Sequence, residues 1–136
     1  MTAKQLTDSH GLAVSTLSDT SAAAYARGVE LLMGFSPEAV VVLRAAVESD
    51  PHFGLAQVAL ECALAAAGVP AEAPQWCDRS PLSRRASTRR ERQHIEVLRM
   101  VLNGERERAA VLGREHLHEF PEDILVAHVL TSHGLS

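Results

Sequence analysis

His94 and His128 are 34 apart in the sequence, and Glu91 precedes His94 by one helical turn. Imidazole nitrogens with a carboxylate are ligands that zinc accepts, and the same groups do most acid–base catalysis. On neighbouring helices in matching slots, the two histidines would approach each other. Two histidines and one acid do not make a specific site, however, and Glu91 also has a capping role open to it. The residues therefore predict no catalytic residue, no metal and no cofactor. A metal-binding or hydrolytic enzyme centred on His94 and His128 is kept as the alternative.

The other reactive side chains have simpler readings. His116 and His118 lie near the end of a helix, where partial positive charge is favourable. Cys62 reads as a small buried apolar residue, and Cys77, beside Arg79, as a more exposed thiol. The two cysteines form no Cys-x-x-Cys pair, and a reduced, cytoplasmic setting is expected. Six arginines fall between Arg79 and Arg92. They suggest an anionic partner, but the chain carries a net charge of −4 and only Trp76 lies near as a stacking platform. Nucleic acid is therefore not expected as a partner. No Gly-rich phosphate loop or nucleophile elbow occurs.

The elements that must position these residues read as helices. The chain has 136 residues, 46% of them hydrophobic and only 4% aromatic, which suits close helix packing better than a sheet. Residues 1–17 are polar and lack periodicity, so they read as a flexible N-terminal arm without a secretory leader. Ser18 or Asp19 starts a helix that stops at Gly34, with glycine expected to take the left-handed turn. Ser36-Pro37-Glu38 starts a second, which ends before Asp50-Pro51. A third covers residues 53–67. Pro70, Pro74 and Pro81 break the next stretch, which holds at most a short helix around residues 75–79. Thr88-Arg-Arg-Glu91 is a capping box, and the helix it starts ends at Asn103-Gly104. Residues 105–119 form a further helix ended by Phe120-Pro121, and a last one starts near Glu122-Asp123. The longest nearly uncharged stretch contains Gln57 and Glu61 and is too short and polar to span a membrane.

The punctuation recurs. Gly34 and Gly68 are 34 apart, and the pairs Gly34/Gly104, Ala39/Ala109 and Pro51/Pro121 are each 70 apart. Seventy is two such periods with two further positions added. A 34-residue pair of antiparallel helices is the tetratricopeptide repeat. The expected fold is all-α, a short α-solenoid of five to seven helices over residues 18–136. Its repeats would cover residues 20–53, a degenerate 54–87, 90–123 and a partial 124–136. Gly113 breaks the pattern, standing where a large apolar residue is usual.

Several segments resemble the tetratricopeptide repeat protein 38 family, in its N-terminal region and in bacterial relatives. They are TRRERQH from Thr88, Asn103-Gly104, Ala109 and FPEDILVAH from Phe120. GLAVSTLSDTSAAAYARGVELLMGF from Gly11 and AVESDPHFGLAQVAL from Ala46 agree with them. The resemblance spans residues 11–128, and the stretch 69–87 departs from it. It implies a helical-repeat interaction protein without chemistry, and a chain that is a truncated or N-terminal part of a longer array.

First helices of such repeats line a concave face. Counting slots places Leu55, Val58, Cys62, Glu91, His94, Leu98, Val101, Leu125 and His128 along a partner-binding groove, preceded by Ala24, Gly28 and Leu31. The expected role is a scaffold that holds a peptide or helix from a protein partner there. Self-association through an open C-terminal end is the accompanying expectation.

Overall fold

The computed structural model describes residues 6–7, 13–14, 18–68 and 88–135. The described residues are all-helical apart from one two-residue antiparallel pairing, β1 (Leu6–Thr7) with β2 (Ala13–Val14). Six helices follow among the described residues: α1 (Asp19–Met33), α2 (Glu38–Ser49), α3 (Gly54–Ala66), α4 (Arg89–Leu102), α5 (Arg106–Glu119) and α6 (Ile124–Ser132). The short helix expected around residues 75–79, Cys77 and the second half of the degenerate repeat lie outside the described residues.

Local chemistry accounts for the helix starts. The Ser18 hydroxyl accepts from the Ser21 amide at 3.0 Å. Thr88 and Glu91 form the reciprocal box, with Thr88 Oγ1 accepting from the Glu91 amide and Glu91 Oε1 from the Thr88 amide, both at 3.2 Å. Each bond satisfies a donor that the first helical turn leaves without a partner.

The helix ends share one device. Gly68, Gly104 and Gly134 follow α3, α4 and α6 with φ of +73°, +78° and +69°, the left-handed region that glycine enters without steric cost. After α4 the Gly104 amide donates to Val101 and the Glu105 amide to Met100, closing the paired bonds of a Schellman turn. The same turn follows α1, but its left-handed residue is Phe35, at φ +58°. Gly34 has φ −84° and is the ordinary residue before it. The sequence reading placed the turn one residue early.

Small residues let helices touch. Ala39 on α2 and Ala109 on α5 are buried. A Cβ added to Gly28 on α1 would lie 2.4 Å from Leu43 of α2, and one added to Gly113 on α5 would lie 2.5 Å from Leu130 of α6. Gly113 thus departs from the repeat pattern because Leu130 fills the space its side chain would take. α1 packs on α2, α2 on α3, α3 on α4, α4 on α5 and α5 on α6. Helices further apart in the chain also meet: α1 with α3, α4 with α6 and, closing a ring, α1 with α6.

Candidate functional site

That ring decides the fate of the expected groove. Leu55, Val58, Cys62, Glu91, His94, Leu98, Val101 and Leu125 are all buried, and Leu55, Val58, His94 and Leu98 are wholly so. Gly28 faces Leu43 on the second helix of its own pair. Leu55, Val58, Cys62, Leu98, Val101 and Leu125 belong to the hydrophobic core. Phe35 and His128 mark the meeting of α1 with α6, with ring centroids 5.4 Å apart. Slot counting assumed an array that stays open. Large apolar side chains on all four inner helices favour closure instead, since contact removes their surface from water.

An opening remains at the C-terminal ends of these four helices. It is a pocket of about 150 Å³, lined by Leu32 and Phe35 from α1 and its turn, Cys62, Ala65 and Ala66 from α3, Val101 and Leu102 from α4, and His128 and Val129 with Ser132 and His133 from α6 and its end. Of the expected groove residues, Cys62, Val101 and His128 reach it. Burial pushes the Cys62 thiol up to about 12, with Glu61 adding to the effect, so it serves as an apolar wall and not as a nucleophile. Phe35 stands at the rim 73% exposed, an aromatic side chain held out by a backbone that disfavours it.

The histidines part company. His94 does not pair with His128; its Nδ1 donates to the Asp123 carboxylate at 2.9 and 3.0 Å. His116 donates from Nε2 to the same carboxylate at 2.7 Å, and its Nδ1 meets the Gln93 side chain at 3.0 Å. The Arg90 guanidinium lies 3.5 Å from Asp123 Oδ2. All four charged or ionisable groups are buried. Burial alone would raise the Asp123 carboxyl. The neighbouring His94, the hydrogen bonds from His116 and His94, and the charge of Arg90 outweigh it and hold the group well below the usual carboxylate range.

His94, His116 and Asp123 offer three ligand atoms within 4.8 Å of one another. In the structure both imidazoles are hydrogen-bonded to the carboxylate. Ligands about 2.1 Å from zinc in a tetrahedron stand about 3.4 Å apart, wider than the hydrogen bonds here. The Arg90 guanidinium already supplies the positive charge. The cluster ties α4, α5 and the α5–α6 turn together. Asp123 occupies the N-cap of α6 yet makes no side-chain cap bond, because its carboxylate turns inward.

Sequence reasoning placed His116 at a helix terminus and Asp123 at a helix start, and missed both as cluster members. A signal was present. Arg90 and His94 fall at i and i+4 on the apolar face of α4, and polar groups on a buried stripe require a buried counter-charge. Of the six arginines, Arg90 serves this cluster and Arg89 pairs with Glu119 at 3.1 Å, while Arg79, Arg84 and Arg85 lie outside the described residues.

No family profile, curated protein or solved structure matches the chain. Fold and site define an all-helical protein with a small apolar pocket and a buried polar tie. Among the described residues, no helix is long and apolar enough to cross a membrane.

Proposed function

We propose that this chain is a tetratricopeptide-like interaction module, of the kind its resemblance to the repeat protein 38 family implies, and not an enzyme. Three features support the repeat reading. Left-handed turns follow α1, α3, α4 and α6, Ala39 and Ala109 recur at one offset, and the Pro51 and Pro121 turns recur at the same one. On this reading the four inner helices are the first helices of successive repeats, and the pocket is what closure leaves of their concave face. It accepts one apolar side chain from a peptide or helix of a protein partner.

The observation that carries the proposal is Phe35. Three equivalent turns use glycine. A non-glycine residue in the left-handed region costs about 1 kcal/mol or more. Here that strain presents an exposed ring beside an apolar pocket, which makes sense as a contact for a partner. The test is selection of peptides from a displayed random library on the full chain, followed by Ala66→Arg, an exposed change that fills the pocket. Binders whose affinity falls at least about tenfold in that variant support the reading. Binders indifferent to it refute the assignment of the pocket.

A further inference from the structure

A second surface lies away from that pocket, between α4 and α5. It is an open groove of about 480 Å³, lined by Glu96, Met100, Glu107, Arg108, Val111, Leu112 and Glu115. Met100 and Leu112 supply an apolar floor, and Val111 stands 51% exposed in mid-helix. Glu107, Val111 and Glu115 fall at i, i+4 and i+8, one stripe of α5 reading acid, apolar, acid. Glu96 and Met100 repeat half of that stripe on α4.

The charges on this groove are not used internally. Glu96, Glu107 and Glu115 are exposed, and none joins an ion pair among the described residues. The one cation in the lining, Arg108, is engaged by Glu105 at 2.8 Å. Glu107 has a local reason to be there, since an acid in the first turn of a helix is favoured. Glu115 has no such reason: it lies just before the last turn of α5. Three uncompensated carboxylates around an oily strip are therefore poor for the isolated chain and complementary to a positively charged apolar ligand.

We propose that the α4–α5 groove docks a basic amphipathic helix of a partner protein, one carrying Lys or Arg, an apolar residue, and Lys or Arg at i, i+4 and i+8. That stripe is about 12 Å long, a little over two helical turns, and matches the stripe on α5 in length and opposes it in charge. The apolar residue covers Val111 and Met100, and the basic residues meet Glu107, Glu115 and Glu96. Helices commonly bind in this way, with burial supplying affinity and the charges setting partner choice. The site does not depend on the pocket described above.

The probe is a synthetic helical peptide of about 16 residues with leucine flanked by lysines at that spacing, compared with a twin in which glutamate replaces each lysine. Each is titrated into the isotope-labelled full chain and followed by amide NMR shifts at low and high salt. The expected result is shifts centred on residues 96–100 and 107–115, and at least roughly tenfold tighter binding of the lysine peptide at low salt. The triple change Glu96→Lys, Glu107→Lys and Glu115→Lys, checked by circular dichroism for an unchanged fold, inverts the preference. Equal binding of both peptides, a preference that survives the triple change, or shifts elsewhere would overturn the proposal. Shifts at this groove that grow with the concentration of the chain alone would give it to a second copy and would overturn it too.

Discussion

The turns Asp50–Phe53, between α2 and α3, and Phe120–Asp123, between α5 and α6, have nearly the same backbone. Phe53 has φ −79° and ψ 93°, and Asp123 has φ −79° and ψ 78°. In each, the fourth residue donates its amide back to the first, at 3.0 and 3.1 Å. Each turn carries proline in second place and starts the helix that follows. The side chain pointing inward differs completely. Phe53 packs edge-on against Tyr25 with centroids 5.2 Å apart, while Asp123 collects His94, His116 and Arg90. One backbone solution is thus held by an aromatic contact in the first helix pair and by a buried charge cluster in the second. The aromatic version is indifferent to protons. The charged version is not, and its members depend on each other.

The largest expected effect follows from that dependence. Asp123→Ala removes the carboxylate that His94 and His116 share and that lies 3.5 Å from Arg90, and should cost about 3–5 kcal/mol in chemical denaturation. Asp123→Asn tests whether charge or shape matters. If asparagine restores wild-type stability, the electrostatic account of the cluster is wrong.

Acid should expose the same contrast at a smaller scale. The Asp123 carboxyl is held below its unfolded value, so its contribution is fully present above the unfolded pKa of about 4 and is lost as pH falls below it. Amide exchange between pH 5 and pH 3 should lose protection in α4–α6 before α1–α3. Asp123→Asn should flatten the pH dependence. Uniform loss across both helix pairs would contradict the assignment.

Packing gives a third comparison. Positions 28 and 98 are 70 apart, as are 43 and 113. The first pair of helices has glycine on its first helix and Leu43 on its second; the later pair has Leu98 on its first and Gly113 on its second. Gly113→Ala should cost about 1–3 kcal/mol, because the added carbon meets Leu130 at 2.5 Å. Gly34→Ala, with its nearest contact at 3.5 Å and an ordinary φ, should be neutral or stabilise by up to about 1 kcal/mol. Thermal unfolding of the two variants decides the matter, and equal losses would mean that the close approach at Gly113 does not govern packing.

These comparisons also show what a sequence discloses. The Thr88–Glu91 box, the Ser18 cap and the helix ends at Gly104 and Pro121 were legible because each acts over a single helical turn. Glycine and proline at one fixed offset disclosed where helices end and the chain turns, at Gly68, Gly104, Pro51 and Pro121. Closure of α1 onto α6 was not legible, since curvature of a helix stack is set by many small packing angles that no local pattern encodes. The Asp123 cluster was hidden for a related reason: its members are scattered along the chain from Arg90 to Asp123, and His116 and Asp123 each have a sufficient local role at a helix terminus. Phe35 was concealed by Gly34, which offered a more obvious left-handed residue one position earlier.

The most direct test of the interaction account is Phe35→Gly, measured for thermal stability and for affinity toward a library-selected peptide. Relief of the left-handed strain should raise stability by about 1 kcal/mol, while removal of the exposed ring weakens binding. Higher stability with lower affinity is the result the account predicts. Higher stability with unchanged affinity would contradict it, because Phe35 would then be strained for no partner's benefit.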